Sequence, residues 1–420
     1  MSSIQALQAR QILDGMGQPT IELIIWLDDG RSVLTSVPTQ QFYEPDHAKK
    51  LRDNDNGHFF GQGVNQAVTT INQQIAPQLI GRSPIKQTEI DQVLVDLDGT
   101  QDKSKLGANT ILAVSQAALK AGALSVNLPT YSYVQQKYQL VDYLAVPNCI
   151  YDLIHGGELG RDNLDLREFE LIPASHLDFP QSLNIASTVR QKIKEVISAK
   201  GGHLYESVAG GLLPKLNSNA DVFELILEAV KATNFTFAQD LFFGIDSAAD
   251  DLATDSKYKL RDKPDFYSTK ELIDYYKSIR ERYKVIYLED PFSSKDLKGW
   301  QKFTQELGDT TRIAADRLHK GHLDTVQKLI KQQAANSIVI KPLDAGTISE
   351  TMHLIKLAKD ADWQVIIGQE SGETTDDFLA DLAVGIGADY VKFGAPVRGE
   401  KVSKYNRLLH IHQEILRYSS

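Results

Sequence analysis

The stretch NSIVIKPLDAGTISET, residues 336–351, decides the fold. Ser337-Ile338-Val339-Ile340 reads as a short strand buried on both faces, and the run ends on Lys341. A lysine at the end of a buried strand is costly unless a counter-charge meets it. The strand end must therefore face acids brought from elsewhere in the chain.

Working outward, the same pattern recurs. LFFGID (241–246), VIYLED (285–290), RIAAD (312–316), QVIIGQE (364–370) and YVKFG (390–394) are apolar runs that end on or near a charge. Helical segments lie between them, one opened by Ser268-Thr269-Lys270-Glu271, a capping box. Continuous apolar strands alternating with helices predict a parallel (β/α) barrel. In such a barrel the C-terminal strand ends meet at one mouth. Asp246, Glu289, Asp316, Lys341 and Lys392 are then expected to converge there.

Three carboxylates without Cys or His suit a hard cation, and Mg²⁺ prefers oxygen ligands. A lysine held beside a divalent cation and a second lysine is expected to have a lowered pKa. That suits Lys341 as a general base, with the metal stabilising charge as an α-proton leaves a carboxylate. The chemistry read from the residues is proton abstraction next to a carboxylate.

The N-terminal part has another rhythm. TIELIIWLDDGRSVLTSVP (20–38) has two apolar runs around Asp28-Asp29-Gly30-Arg31, a hairpin signal. NQAVTTINQQIAPQLIG and KLGANTILAVSQAALKAGAL follow with helical apolar spacing. The reading is α/β, with an N-terminal α+β capping domain at 1–137 and a C-terminal (β/α)8-type barrel at 138–420.

The chain has 420 residues and a formal net charge of −10, which speaks against a general grip on nucleic acid. No apolar run approaches the roughly 20 residues of a membrane span, so no membrane insertion is expected. The start, MSSIQALQARQILDG, lacks a signal-peptide pattern. The single cysteine, Cys149, excludes an intramolecular disulfide and reads as a buried structural thiol rather than a nucleophile. His203, His319 and His322 show no ligand spacing, and Gly156-Gly157 and Gly210-Gly211 read as loop geometry. Trp26, Trp300 and Trp363 read as packing residues, and Leu225-Ile226-Leu227 with Ala229-Val230 as a helix face on the barrel wall.

AVPNCIYDLIHGG, NLDLREFELIP, LEDPF, NSIVIK, SGET and VSKYNRLL, with ARQILDGMGQPTIE and LDGTQDKSKLGANTILAVS, carry a further signal. Along nearly its full length the chain resembles enolase. The resemblance implies a barrel with an irregular start and Mg²⁺-dependent interconversion of 2-phosphoglycerate and phosphoenolpyruvate, in which a lysine base works with bound Mg²⁺. By position it implies Asp246, Glu289 and Asp316 as metal ligands and Lys341 as the base. It implies Lys392 as the lysine on the substrate carboxylate and Glu168 as an acid near the leaving hydroxyl. Substrate contacts fall on Arg167, Gln369, Glu370, Ser371 and Thr39.

Several matched positions differ. The family's GDEGGFAP is Ser207-Val208-Ala209-Gly210-Gly211-Leu212-Leu213-Pro214, so its proton donor falls on Ala209. Loss of a general acid costs about 10²–10⁴ in rate. The family's SGAST loop is Thr39-Gln40-Gln41-Phe42-Tyr43, its loop histidine is Leu159, and its glutamine before the EF pair is Arg167. Its phosphate-binding arginine is Glu370, which predicts repulsion in place of attraction. Three readings stay open: an enolase slowed by these changes, a related lyase or isomerase acting on another small carboxylate, and a non-catalytic paralogue. In the first, Glu158, Glu206 or Glu168 would replace the acid, and Arg161 or Arg167 would reach the phosphate. The resemblance also implies a homodimer or homo-octamer and a cytoplasmic setting, with a secondary cell-surface pool allowed. Arg10 and Glu22 match one side of the family's inter-subunit ion pairs, while the other side falls on His410 and Gln413.

Overall fold

A computed structural model describes residues 2–40, 48–160 and 164–419; Gln41, Phe42, Tyr43 and Arg161 lie outside them. The chain opens with a meander of β1 (Ile4–Leu13), β2 (Pro19–Leu27) and β3 (Ser32–Ser36). Along β2, Ile21, Leu23, Ile25 and Leu27 alternate inward and are wholly buried. Period two thus gives the sheet one apolar face, and the helix Ala108–Ser125 lies against it.

That helix is buried all round because it is wedged between two units. Ser115 Oγ accepts from Ile348 N at 2.9 Å, and Asp91 Oδ2 accepts from Ser349 N at 2.9 Å. Both bonds cap the helix Ile348–Asp360, which follows shortly after Lys341. Lys120 meets Asp376 at 3.1 Å in the same seam. Among the described residues no single helix is long and apolar enough to cross a membrane.

The second unit is built on β4 (Asn148–Cys149), β5 (Tyr151–His155), β6 (Glu168–Pro173) and β7 (Leu241–Asp246). A small sheet, β8 (Ala253–Thr254), β9 (Lys257–Tyr258) and β10 (Tyr267–Ser268), interrupts it. Then come β11 (Val285–Glu289), β12 (Arg312–Ala315), β13 (Ser337–Ile340), β14 (Gln364–Gly368) and β15 (Tyr390–Lys392). The large sheet runs β4-β15-β14-β13-β12-β11-β7-β6-β5. Only Ile150 separates β4 from β5, and its N–H donates to Val391 O at 2.9 Å. One run of chain therefore touches both ends of the sheet and closes it into a barrel.

The six strands read from the sequence pair in parallel. The barrel is not parallel throughout: β6 pairs antiparallel with both β5 and β7. β6 therefore runs against both of its neighbours, and the parallel order begins only at β7. The helix Asn219–Lys231 buries Leu225, Ile226, Ala229 and Val230 as expected, with Leu227 only partly covered. Ser268 and Glu271 form the expected capping box. Trp300 and Trp363 are buried, whereas Trp26 is half-buried. Cys149 is buried, and burial pushes its thiol up to about 12. Arg10 and Glu22 stand opposite each other on β1 and β2 and pair within the chain.

Candidate active site

Alternation along the strands builds the site. Ile150, Ile172, Tyr287, Ala314, Val339 and Ile366 form an apolar cluster separate from the main core between strands and helices. In a strand, positions two apart share a face. Two residues from these stand Asp152, Glu170, Glu289, Asp316, Lys341 and Gly368. A charged layer thus lies directly on an apolar floor. Gly368 makes room for Val339 in that floor: a Cβ there would lie 2.7 Å from Val339 Cγ1, whereas Lys341 Cε at 3.5 Å would be in ordinary contact.

Asp246, Glu289, Asp316, Lys341, Lys392, Glu168, Arg167, Ala209, Gln369, Glu370 and Ser371 all border one cavity at this layer. Lys392 Nζ lies 2.7 Å from Glu289, 2.8 Å from Glu168, 2.9 Å from Glu170 and 3.7 Å from Asp246. Burial works to lower Lys392, but these carboxylates outweigh it and hold the ammonium well above its ordinary range. Burial likewise works to raise Glu168, yet Lys392, His155 and Arg167 hold it below the usual carboxylate range. Glu289 has the opposite balance: burial, with Asp246 and Asp316 nearby, pushes it up to about 7 against Lys392.

Lys341 Nζ donates to Asp316 Oδ2 at 2.5 Å. The expected lowering of Lys341 is not found. Burial alone would lower it, but Asp316, Glu370, Asp344 and Glu289 surround it and hold it above its ordinary value. Lys392 is engaged by its own ring of acids instead.

Glu370 also departs from expectation. Burial and Asp344 push its carboxyl up to about 8, against Lys341 and Lys50. Near neutral pH it is largely an uncharged hydrogen-bonding group, so it does not set a full negative charge against an anion. Gln40 Nε2 donates to its Oε1 at 3.3 Å.

Thr39 does not line the cavity. It is buried, and its hydroxyl donates to Asp14 Oδ2 at 2.5 Å. Its neighbour Gln40 borders the cavity instead. Ala209 sits in a tight turn, with its carbonyl accepting from Lys401 Nζ. Of the candidate replacement acids, Glu206 pairs with Arg190 at 2.8 Å and Lys194 at 3.3 Å, and Glu158 is exposed. Only Glu168 of the three borders the cavity.

Sequence reasoning passed over Asp152, His155, Glu170, Asp290 and Lys401. Glu170 was legible, two positions from Glu168 on one strand. Asp290 accepts from Asp316 N at 3.1 Å and Arg317 N at 2.9 Å, positioning the end of β12. Lys401 is buried at the cavity wall, and burial lowers it. His319, read as structural, is buried with Nε2 2.8 Å from Val339 O. Among the described residues, the group whose ligand atoms all lie within 4.8 Å of one another is Asp152, His155 and Glu168, not the three strand-end acids. Lys341 engages Asp316, and Lys392 engages Glu289 and Asp246.

Residues 4–134 match the family described as "Enolase, N-terminal domain", and residues 143–419 match "Enolase, C-terminal TIM barrel domain". The chain is 36% identical over 413 residues to "Enolase" of Ehrlichia canis (strain Jake), covering 98% of this chain and 97% of that protein. It is 36% identical over 411 residues to "Enolase" of Ehrlichia chaffeensis (strain ATCC CRL-10679 / Arkansas), covering 98% and 96%.

Proposed function

Since the chain belongs to the enolase family of lyases, we propose that it interconverts 2-phosphoglycerate and phosphoenolpyruvate with Mg²⁺, more slowly than a family member carrying the full set of groups. The observation that carries this is the buried lysine–carboxylate layer. Lys341 is on Asp316 at 2.5 Å, and Lys392 is on Glu289 at 2.7 Å at the same cavity.

Asp246, Glu289 and Asp316 fit Mg²⁺, being buried and oxygen-only donors. The rise of Glu289 to about 7 fits too, because crowded acids there lack positive charge. When bound, the cation supplies charge that stabilises a carboxylate as its α-proton leaves. Lys341 takes that proton at Nζ, once it is drawn off Asp316 and neutral. The electron pair of the broken C–H bond forms the C=C bond as the C–O bond breaks. The leaving hydroxide needs a proton, and Ala209 has none to give. Glu168, held ionised by Lys392, is a poor donor near neutral pH. Besides Lys341 and Lys392, Arg167 and Lys401 line the cavity and add positive charge for an anionic substrate.

A second reading rests on Glu370. A buried carboxyl that is largely neutral near pH 7 suits a hydrogen-bond acceptor as well as a phosphate. The substrate would then be another small carboxylate with the same proton abstraction at Lys341. Both readings carry a homodimer or homo-octamer and a cytoplasmic setting.

The deciding experiment follows 2-phosphoglycerate with Mg²⁺ in D₂O by NMR. Phosphoenolpyruvate that depends on Mg²⁺ and disappears in Lys341→Ala supports the first reading. Exchange at C2 without product indicates a working base without an acid. Neither signal would sink the first reading and move the search to other carboxylates.

A further inference from the structure

Leu153 is an extra residue in β5. Between Asp152 and Ile154 the register against β6 shifts, so that Asp152 opposes Glu170 and His155 opposes Glu168. Opposed residues in an antiparallel pair share a face. The bulge therefore turns both Asp152 and His155 into the barrel, where unbroken alternation over three positions would send one outward.

His155 is wholly buried. Its Nδ1 lies 2.8 Å from Ser207 Oγ, whereas its Nε2 makes no hydrogen bond. Nε2 faces Asp152 Oδ2 at 3.5 Å and Glu168 Oε1 at 4.0 Å. Asp152 Oδ1 is likewise without a hydrogen-bond partner. Buried polar atoms left unmatched are rare in native proteins, and here an imidazole nitrogen and two carboxylates converge on one point.

We propose that Asp152, His155 and Glu168 bind a divalent transition-metal ion of the Mn²⁺ or Zn²⁺ kind, at a site separate from the all-carboxylate Mg²⁺ site. An imidazole with two carboxylates selects such ions over Mg²⁺. The contact between Nδ1 and Ser207 orients the ring as partners of metal-ligating histidines do. Lys392 occupies Glu168 Oε2 at 2.8 Å and leaves Oε1 toward His155. The fold reserves space for the ring: a Cβ on Gly211 would lie 2.3 Å from His155 Cδ2. Asp152 and Glu168 border the cavity, so three protein ligands would leave an open position facing it. The proposal does not depend on which substrate the cavity takes.

The test uses the full chain loaded with Mn²⁺ alone and with Zn²⁺ alone. Electron spin-echo modulation reports nitrogen bound to Mn²⁺, and absorption at the Zn K-edge reports imidazole scattering. The expected result is nitrogen coordination that is lost in His155→Asn and retained in Asp316→Asn. Affinity at the nitrogen-bearing site should fall about 10- to 100-fold in Ser207→Ala, where only the orienting partner is removed. If His155→Asn does not fold, the unsubstituted chain and Ser207→Ala decide. Saturated protein without a nitrogen ligand overturns the proposal. A nitrogen signal that survives in folded His155→Asn does so too, because another histidine then supplies it. The phosphoenolpyruvate assay reads the other proposal, so either can fail alone.

Discussion

Lys392 Nζ lies 2.7 Å from Glu289 Oε2, although β15 and β11 stand on opposite sides of the barrel. The lysine spans the mouth, reaching Glu168 and Glu170 as well. One cation is thus shared among buried acids that would otherwise repel one another.

Lys392→Met should cost about 3–5 kcal/mol of unfolding free energy, because it leaves buried carboxylates uncompensated. The acids then ionise less readily in the folded state than in the unfolded state. The folded state holds more protons, so the deficit should grow as pH rises through the neutral range. Urea unfolding at pH 5.5 and pH 8.5 measures this. Equal deficits at the two values would show that Lys392 matters by packing alone.

Glu370 sits at about 8 in the folded protein against an ordinary 4.5. A raised acid pKa means that folding takes up a proton between those values. Stability is therefore lost as pH rises from 4.5 through 8. Glu370→Gln removes that loss, so its melting temperature should exceed that of the unsubstituted chain at pH 8.5, with the gap closing toward pH 4.5. A gap that widens on acidification would contradict the assigned burial effect.

Ala209→Glu places a carboxyl at the turn beside Lys401, whose Nζ donates to the carbonyl of residue 209. If the missing acid limits dehydration, kcat for phosphoenolpyruvate formation should rise about 10²-fold or more. An unchanged kcat in folded protein would mean that another group already protonates the leaving hydroxide.

Gly211→Ala puts a methyl group 2.3 Å from His155 Cδ2, closer than side chains tolerate. The wholly buried ring is held by Ser207 Oγ at 2.8 Å from Nδ1. A loss of about 1–3 kcal/mol in denaturant unfolding is expected from the overpacking. Unchanged stability would show that the turn at 207–211 can shift away from the barrel.

The barrel and the charged mouth were legible because they rest on local regularities. Apolar runs such as Ser337–Ile340 mark strands, and a charge at the end of each falls at one place once the strands are parallel. That reasoning found Lys341, Lys392, Asp246, Glu289 and Asp316 but passed over Glu170, which also meets Lys392. It missed β6 as an antiparallel member, and it missed the inward turn of His155 because a one-residue bulge at Leu153 reverses every facing after it in β5. It also placed Thr39 at the substrate, whereas the Thr39 hydroxyl is committed to Asp14.

By itself the sequence determined the order of the six parallel barrel strands and the helices between them, the kinds of charge at the mouth and the positions where the family's groups are replaced. These depend on neighbours along the chain or on position by position matching. Only the tertiary structure decided that Lys341 is held above its ordinary value, that Glu370 is largely neutral near pH 7, and that Asp152, His155 and Glu168 face one another. Each of these depends on which distant groups come within a few ångströms and on how far water is excluded, and both are set by packing.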